Sequence, residues 1–465
     1  CIIGAGSAGL SVASGAAQLG RKVVLIEQGK MGGDCLNYGC VPSKALLAAA
    51  RRAQQMRQAA KFGIEAVEPT IDPAAVLRHV HGVIETIAPI DSQERFEGLG
   101  CTVLREQATF IGRRRVRAGD TEVTAKHFVI ATGAKPRIPP IPGLDSVPYL
   151  TNETLFYTEE FPAHLIVIGG GPIGVEMAQA HRRLGAEVTL IETHAILPKD
   201  DREMVEIARR KLVSDGVRVI EHAAVRRVSG SAGEIAVEYG GEGSSSLIHG
   251  SHVLVATGRQ VNIDGLGLDA AGVAHSDRGI TVNARLRTSN KRIYAAGDVT
   301  GGRQFTHVAG YHAGIIVQNI LFKVPAKNRE ELAPWVTYMD PELAHIGLTE
   351  AQAKAAGHKV TVARWSYGEN DRAQAEHAAC GQVKAVIGKG GRILGATILG
   401  ASAGELIGSW ALAMANKLSI KAFTSMIAPY PTLGEVSKRV AGAYYTPTLF
   451  SARTRALVSL LSVFD

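Results

Sequence analysis

The chain has 465 residues, with 51 Lys and Arg against 43 Asp and Glu, so its formal net charge is +8. This length is typical of about three domains. No apolar run of about 18 residues is present, which excludes a membrane-spanning helix, and no basic stripe interleaved with aromatic residues indicates nucleic-acid binding.

The first element is a glycine-rich turn between an apolar strand and a helix. Its glycines follow the pattern G-x-G-x-x-G, at Gly4, Gly6 and Gly9. After the helix, a strand over 22–26 ends in Glu27. Such glycines let a pyrophosphate approach the helix N-terminus, and the closing carboxylate binds a ribose hydroxyl. We therefore predict a dinucleotide site, and we expect the natural chain to begin upstream because so few residues precede the turn.

Two cysteines follow, with four residues between them, just before a long helical run. Cys40 is expected at or just before the start of this helix, because Pro42 fits the first turn, and Lys44 follows one turn later. Exposed N–H groups and the helix dipole favour a thiolate there. The pattern predicts a reactive dithiol of Cys35 and Cys40. The alternatives are two buried cysteines near a loop or half of a metal site. A metal site would need more ligands at suitable spacing, and the remaining cysteines are Cys1, Cys101 and Cys380.

The middle of the chain repeats the opening pattern. After a mainly helical region to about residue 95, short strands over 101–123 and a buried strand over 128–133, the proline-rich run 135–148 predicts a linker. A second G-x-G-x-x-G then appears at Gly169, Gly171 and Gly174. Its strand ends in Glu192, and in both copies the acid lies 18 residues past the third glycine. Matched spacing predicts two dinucleotide folds and two nucleotide ligands.

Glu192 also bears on the second nucleotide. A carboxylate there accepts a 2′-hydroxyl and repels a 2′-phosphate, which favours NADH over NADPH. Four basic or titratable residues close to it in the sequence weaken this preference, namely Arg182, Arg183, His194 and Lys199.

Two further strands and a different C-terminal region complete the pattern. Residues 252–258 echo the earlier Ala-Thr-Gly strand, and 292–298 predict a buried strand ending in Asp298, which either binds polyol hydroxyls of a cofactor or caps a helix. Past residue 332 strands alternate with helices, including a hairpin over 384–398 and a helix over 402–418, without a nucleotide fingerprint. This indicates an α+β domain suited to subunit contacts.

These residues resemble the pyridine nucleotide–disulphide oxidoreductases, the flavoprotein family of glutathione reductase, dihydrolipoamide dehydrogenase and mercuric reductase. The most specific motif is Gly-Gly-Asp-Cys-Leu-Asn-Tyr-Gly-Cys-Val-Pro-Ser-Lys over 32–44, supported by 169–176, 295–298 and 341–350, and the likeness extends to about Tyr445. It implies an α/β fold of two Rossmann-like domains plus a C-terminal α+β dimerisation domain. The expected boundaries are 1–140 with 285–331 for FAD, 141–284 for NAD(P), and 332–465 for the dimer domain with a tail helix.

The resemblance also implies roles for single residues. Cys40 would face the flavin as the charge-transfer thiol, Cys35 would be the interchange thiol, and Lys44 would pair with Glu176 near the flavin. The implied FAD site comprises Gly4, Gly6, Gly9, Glu27 (adenosine ribose), Gly33, Lys44, Thr132, Gly133, Asp298 (ribityl chain), His307 and Ala309. The implied NAD(P) site comprises Gly169, Gly171, Gly174, Glu192 and Gly258. No resident metal is expected.

One departure from the family bears on the substrate. Where disulfide-reducing members have His-Pro-Thr-x-x-Glu supplied by the partner subunit, this chain has Tyr430-Pro-Thr-Leu-Gly-Glu435. Tyrosine is a poor base at neutral pH, and Glu435 then has no imidazole to orient, which favours a structural role for it. A tyrosine here resembles mercuric reductases, since a soft cation needs thiolates rather than a proton relay. The C-terminal cysteine pair of those enzymes is absent after Cys380, so the acceptor is left unassigned.

Two smaller departures concern Pro172, where many relatives have an aromatic gate over the nicotinamide, and the tail 444–465. The tail predicts an amphipathic helix; packing on its own dimer is favoured, and membrane-surface contact is the alternative.

We therefore expect a cytoplasmic, homodimeric FAD enzyme that passes electrons from NAD(P)H through Cys35 and Cys40 to a small-molecule or metal-ion acceptor, as mercuric reductase does. One alternative is a disulfide reductase of the dihydrolipoamide dehydrogenase or glutathione reductase type with another base, such as His307 or His312. A second is a slow redox-sensing or membrane-associated flavoprotein.

Overall fold

The computed structural model describes residues 1–158, 160–241 and 243–463. Two compact units share the chain: the first comprises Cys1–Arg57, Val67–His194 and Ile220–Glu330, and the second Gln58–Ala66, Ala195–Val219 and Glu331–Asp465. The last two positions of the predicted tail, Phe464 and Asp465, lie outside the described residues.

The strands, in chain order, are β1 (Ile2–Ile3), β2 (Val23–Ile26), β3 (Cys101–Leu104), β4 (Ala108–Gly112), β5 (Arg115–Ala118), β6 (Thr121–Thr124), β7 (Phe128–Ile130), β8 (Ala134–Pro136), β9 (His164–Ile168), β10 (Glu187–Ile191), β11 (Arg218–Ile220), β12 (Ala224–Ser231), β13 (Glu234–Gly240), β14 (Ser246–Gly250), β15 (His252–Val255), β16 (Arg259–Val261), β17 (His275–Ser276), β18 (Gly279–Ile280), β19 (Ile293–Ala295), β20 (Trp335–Thr337), β21 (Glu342–Gly347), β22 (Thr361–Ser366), β23 (Gln382–Ile387) and β24 (Ile393–Gly400).

The helices are α1 (Ser7–Gln18), α2 (Gly33–Asn37), α3 (Cys40–Arg57), α4 (Pro73–Ile87), α5 (Gln93–Gly98), α6 (Pro172–Arg183), α7 (Arg202–Ser214), α8 (Leu268–Ala271), α9 (Thr306–Val317), α10 (Glu350–Ala355), α11 (Asp371–Ala375), α12 (Ala403–Ala415), α13 (Lys421–Ser425), α14 (Glu435–Leu449) and α15 (Ala452–Leu461).

A parallel sheet in the order β19-β7-β1-β2-β3 forms the centre of the first nucleotide fold. Apolar side chains cover both of its faces, which is why its strands are continuous apolar runs rather than alternating ones. Helices α1 and α9 pack together on the core that contains Leu25, Val129 and Tyr294. The carboxyl ends of β1, β7 and β19 therefore meet at one edge of the sheet, where α1 and α9 begin.

The second nucleotide fold repeats this plan within the same unit. Strand β9 pairs in parallel with β10 and β15, and helix α6 packs against β9 and β10. The proline-rich run predicted as a linker differs from that expectation, since its first residues form β8, which pairs antiparallel with β16. Backbone pairing thus orders this stretch from Ala134 to Pro136.

The second unit is built on an antiparallel sheet in the order β20-β21-β24-β23-β22, with α12, α13 and α14 packed on it. Trp410 is fully buried in its core, stacks on Phe423 at 4.2 Å between ring centroids, and donates its indole N–H to Ser437 Oγ at 3.1 Å. The predicted hairpin is present as β23 and β24, and the predicted helix over 402–418 is α12, three residues shorter at its end. The expected fold class, two parallel α/β folds and an α+β C-terminal domain, is confirmed.

A buried ammonium group in the second unit forms ion pairs with three carboxylates. Lys384 on β23 has a side chain that is 5% exposed, and its Nζ lies 2.9 Å from Asp201, 3.0 Å from Glu203 and 3.0 Å from Glu350. These carboxylates come from the start of α7 and the start of α10. One cation therefore connects three elements of the unit.

We expect replacement of Lys384 by Ala to destabilise the protein by about 3 to 5 kcal/mol, because the buried Asp201 carboxylate loses its cation, whereas Glu203 and Glu350 keep ion pairs with Arg364. Chemical denaturation monitored by tryptophan fluorescence measures the change. The matched control is Lys389→Ala at an exposed position of the same hairpin, for which the free energy of unfolding should change by less than about 0.5 kcal/mol. Equal stability of the two variants would contradict this role of Lys384.

No helix among the described residues is long and apolar enough to cross a membrane. The predicted tail helix is present as α15, preceded by α14, which runs to Leu449. Leu457, Leu460 and Leu461 are each more than half exposed on α15.

Candidate active site

The first glycine-rich turn is closed tightly around backbone atoms. Gly4 has φ of +103°, and a Cβ there would lie 2.3 Å from the carbonyl oxygen of Ala131. At Gly9, a Cβ would lie 1.8 Å from the carbonyl oxygen of Gly4, so α1 can approach the turn only without a side chain. At Gly33, a Cβ would lie 2.7 Å from Gly6 Cα. The segment before the cysteines therefore crosses directly over the first turn, and the glycines leave room for a pyrophosphate as the FAD prediction requires.

The acid that ends each second strand makes the same contacts in both copies. Glu27 accepts the N–H groups of Ala5 and Gly29, each at 2.6 Å. Glu192 accepts the N–H of Gly170 at 2.6 Å and that of His194 at 2.9 Å. Each carboxylate therefore lies over its glycine turn, as a ribose-binding acid must.

The two Ala-Thr-Gly segments lie beside these turns. In the first, the Thr132 hydroxyl donates to the Asn262 carbonyl at 2.7 Å, and Gly133 has φ of +67°. In the second, Gly258 has φ of +119°, and a Cβ on Gly169 would lie 2.5 Å from the Ala256 carbonyl oxygen. A Cβ on the third glycine of this copy, Gly174, would lie 1.9 Å from the Gly169 carbonyl oxygen, whereas the space beside Gly171 is open. The donor set and the free space in both copies fit a dinucleotide.

The two cysteines lie next to the first turn. Gly32 donates its N–H to the Ala5 carbonyl at 2.9 Å, which fixes the start of the segment. Cys40 is the first residue of α3, as predicted, and its Sγ lies 3.2 Å from Thr306 Oγ1 at the first position of α9. Cys35 and Cys40 are both free thiols in the structure.

An ion pair lies one helical turn beyond Cys40. Lys44 Nζ donates to Glu176 Oε2 at 2.8 Å, and the Glu176 side chain is 6% exposed. The contact joins α3 to α6, which pack against each other. The resemblance implies this contact, and the structure contains it; the role of the pair beside a flavin stays a prediction.

The surroundings of the two thiols separate their pKa values. The hydrogen bond from Cys35, the hydroxyl of Thr306 and the charge of Lys44 lower the pKa of Cys40 to about 6 against the opposing effect of burial. The hydrogen bond with Cys40 and burial raise the pKa of Cys35. Cys40 is therefore the thiol that carries the negative charge, and the start of α3 adds to this preference.

We expect the thiolate of the reduced protein to form as pH rises through about 6, because the pKa of Cys40 is lowered to that value. The thiolate is then present above about pH 6 and is protonated as the pH falls below it. The charge-transfer absorbance of the reduced holoprotein, followed against pH, measures the midpoint. Thr306→Val should move this midpoint upward, since the valine cannot donate to the sulfur; a midpoint of about 9 in the unmodified protein would contradict the assignment.

Asp298 and Asp34 share one guanidinium group. Asp298 lies in the turn after β19, and burial raises the pKa of its carboxyl. Arg259 Nε lies 3.4 Å from Asp298 Oδ2, and its Nη1 lies 3.3 Å from Asp34 Oδ2. Asp298 lies inside this short helical turn, whose N-cap residue is Ala296.

The histidines of α9 differ in their surroundings. His312 is 1% exposed, its Nδ1 accepts the N–H of Gly297 at 3.2 Å, and its Nε2 lies 3.4 Å from Glu330 Oε2. His307 is exposed and stacks on Phe305 at 5.3 Å. Ala309 is buried in the core behind them. These contacts keep the His312 ring in the interior, which argues against it as a base for a bound substrate.

Tyr430 and Glu435 lie in the second unit. The Tyr430 side chain is 69% exposed, and its hydroxyl donates to Asp371 Oδ2 at 3.0 Å, which raises its pKa. Glu435 is the first residue of α14 and lies 4.0 Å from Arg439. A tyrosine with a raised pKa holds its proton more firmly still, so it does not replace the imidazole as a base.

Three residues of this site were not identified from the sequence, namely Thr306, Arg259 and Asn152, whose side-chain amide donates to Asp34 Oδ1 at 3.1 Å. Each lies far along the chain from the group it contacts, at 266 residues in the case of Cys40 and Thr306. Arg259 directly follows the second Ala-Thr-Gly, and this adjacency was the available signal. Among the described residues, no group of three or more His, Cys, Asp or Glu is arranged to hold a metal ion.

Comparison with known proteins gives a consistent result. Residues 1–313 match the family model described as pyridine nucleotide-disulphide oxidoreductase, and residues 333–441 match the dimerisation domain of that family. Mercuric reductase of Staphylococcus aureus is 36% identical over 445 residues, which cover 95% of this chain and 81% of that protein. Dihydrolipoyl dehydrogenase of Geobacillus stearothermophilus is 34% identical over 448 residues, covering 95% and 94%.

Two solved structures have the same fold over most of their length. The HOCl-induced flavoprotein disulfide reductase RclA of Escherichia coli superposes with a TM-score of 0.84 at 29% identity, covering 95% of this chain and 98% of that one. LpdA of Mycobacterium tuberculosis superposes with a TM-score of 0.87 at 26% identity and the same coverage. The glycine turns, the cysteine pair and these matches together show that the chain belongs to the pyridine nucleotide-disulphide oxidoreductase family, whose members are flavoprotein oxidoreductases that use FAD and NAD(P)H.

Proposed function

We propose that this protein transfers electrons from NADH through FAD to the Cys35–Cys40 pair and on to a soft metal ion, in the manner of a mercuric reductase. The main support is the position of the Cys40 thiol. Cys40 is the first residue of α3, its Sγ contacts the Thr306 hydroxyl, and the Lys44–Glu176 ion pair lies one helical turn away. The relatives named mercuric reductase support this choice of acceptor.

Separate parts of the chain would bind the FAD and the nicotinamide nucleotide. Bound FAD accepts a hydride from the reduced nicotinamide and delivers two electrons to a disulfide. The first turn, with Glu27, would hold the FAD, and the second, with Glu192, would hold the nucleotide. Lys44 and Glu176 would lie at the flavin, where the Glu176 carboxylate holds the Lys44 ammonium group in place.

The reduced dithiol then binds the acceptor, which is reduced with electrons from a second NADH. NADH and a proton reduce the Cys35–Cys40 disulfide to two thiols and leave NAD⁺. The two thiols bind a soft cation such as Hg(II) as thiolates and release their protons. Two-electron reduction of Hg(II) to Hg(0) consumes a second NADH and leaves the dithiol reduced. No base is required at the thiol that meets the metal, which agrees with the exposed, hydrogen-bonded Tyr430.

NADH is the proposed donor because of the place of Glu192. One of its oxygens accepts the N–H of Gly170 in the second turn and the other accepts the N–H of His194, so the carboxylate is fixed beside the turn where the ribose of the nucleotide would lie. A carboxylate in this position would repel the 2′-phosphate of NADPH.

We further propose a homodimer built through the C-terminal domain, residues 332–465, in line with the match to the family dimerisation domain. The boundaries 1–140 with 285–331 for FAD and 141–284 for NAD(P) are part of the same proposal, as is a cytoplasmic location.

A second candidate function is reduction of a small disulfide such as lipoamide. The relatives named dihydrolipoyl dehydrogenase favour it. It needs a base other than Tyr430, and His307 is the exposed histidine next to Thr306.

The test compares NADH oxidation by the purified holoprotein with Hg(II) in excess thiol, lipoamide, glutathione disulfide, a quinone and O2. We expect Hg(II) to give the highest kcat/KM, with NADH preferred over NADPH. A higher kcat/KM for lipoamide or glutathione disulfide, lost in His307→Ala, would overturn the proposal in favour of the disulfide reductase.

A further inference from the structure

The carboxylate directly before the dithiol is held from two sides. Asp34 lies in α2, adjacent to Cys35, and its side chain is 32% exposed. Asn152 Nδ2 donates to Asp34 Oδ1 at 3.1 Å and also approaches the carbonyl of Tyr38 at 3.3 Å. Tyr157 donates its hydroxyl to the carbonyl of Asn37 at 3.0 Å. The residues between the two cysteines are therefore fixed by side chains from 151–157.

Arg259 approaches the same carboxylate from β16. Its side chain is 13% exposed, and its Nη2 donates to the Ala134 carbonyl at 2.7 Å, which orients the guanidinium plane. The two other nitrogens lie 3.3 Å from Asp34 and 3.4 Å from Asp298. A planar guanidinium spans two carboxylates in a way that an ammonium group does not.

The charged groups around the thiols indicate the effect of the Arg259–Asp34 ion pair on the dithiol. Those closest to the thiols are Lys44 and Asp34; Glu176 neutralises Lys44, and His307 follows Thr306 on α9. Beyond Asp34 lie Arg259, Asp298 and Glu153. Asp34 acts to raise the pKa of both Cys35 and Cys40, while Arg259 acts to lower the pKa of Asp298 and Glu153. Without Arg259, the Asp34 carboxylate beside the dithiol and the Asp298 carboxylate would both lose the guanidinium group that they share.

We propose that Arg259 is a positioning residue that neutralises Asp34 beside the dithiol and ties the cysteine segment to Asp298, so that Cys40 is held as a thiolate. This inference rests on the proposed dithiol function and adds a residue that acts through Asp34 rather than on the sulfur itself. Because Arg259 directly follows Gly258, the same side chain also links the predicted nucleotide turn to the cysteine segment.

The test uses Arg259→Gln, Asp34→Asn and the double variant in the reduced holoprotein. We expect Arg259→Gln to raise the pH midpoint of the thiolate charge-transfer absorbance by about half a unit or more, because the charge of Asp34 is then uncompensated. The double variant should return the midpoint toward that of the unmodified protein. Arg259→Lys should raise the midpoint less than Arg259→Gln does, because the lysine keeps the positive charge. Arg137→Gln, on an exposed arginine of the neighbouring segment, should leave the midpoint unchanged.

Thiol alkylation gives a second readout that does not depend on the flavin. The pH at which Cys40 becomes reactive, located by peptide mass spectrometry, should shift in the same variants and in the same direction. An unchanged midpoint in Arg259→Gln, or a shift that Asp34→Asn fails to reverse, would overturn the inference. Absence of any thiolate absorbance in the unmodified protein would instead refute the proposed dithiol function, so the two failures are distinguishable.

Discussion

Replacing Cys40 with Ser is expected to lower NADH-dependent reduction of every acceptor that requires the dithiol by about three orders of magnitude or more. Serine keeps the size of the side chain but supplies neither a disulfide nor a thiolate at neutral pH. The long-wavelength charge-transfer absorbance should be absent from the variant at all stages of reduction. Steady-state kinetics with Hg(II) and anaerobic spectra together measure the effect.

The control for this variant is Cys35→Ser. It should show equally low acceptor reduction but should retain the charge-transfer absorbance, because Cys40 keeps its thiolate beside Thr306 and Lys44. Cys101→Ser, at a buried position in β3, should leave both properties in place. A charge-transfer absorbance that persists in Cys40→Ser and disappears in Cys35→Ser would show that the two roles are reversed.

Gly9→Ala is expected to yield protein with little or no bound flavin. A Cβ at this position would lie 1.8 Å from the carbonyl oxygen of Gly4, so either α1 or the turn must move away from the predicted pyrophosphate position. The ratio of flavin absorbance to protein absorbance after purification measures the loss, and added FAD should not restore the ratio at micromolar concentrations.

Gly15→Ala on the same helix is the matched control. Its Cβ would meet Val317 at 3.4 Å, an ordinary contact, and alanine favours a helix over glycine by roughly 1 kcal/mol. This variant should therefore bind FAD normally and be at least as stable as the unmodified protein. Normal flavin content in Gly9→Ala would contradict the placement of FAD on the first turn.

Local patterns in the sequence were enough to predict the two nucleotide folds. The glycine turns, the acids that follow them and the start of α3 at Cys40 all depend on residues within about 30 positions of each other, where periodicity and capping rules apply. The contact between Lys44 and Glu176 was available only through the family resemblance, because these residues lie 132 positions apart.

The contacts that complete the dithiol site depend on the order of strands in the sheet. Thr306 meets Cys40 because β19 lies beside β7, which brings the start of α9 to the edge where the cysteine segment passes. Arg259 reaches Asp34 and Asp298 because β16 pairs with β8. Neither pairing follows from the pattern of a single segment, and the proline-rich residues of β8 indicate a linker when read alone.

The most direct test is an anaerobic titration of the oxidised holoprotein with NADH, combined with alkylation of the thiols at each step. The first equivalent should produce the long-wavelength absorbance and make both Cys35 and Cys40 available to the alkylating reagent, while most of the flavin absorbance remains. Bleaching of the flavin by that first equivalent, with both cysteines already alkylated before NADH is added and no new absorbance, would contradict electron transfer to the dithiol.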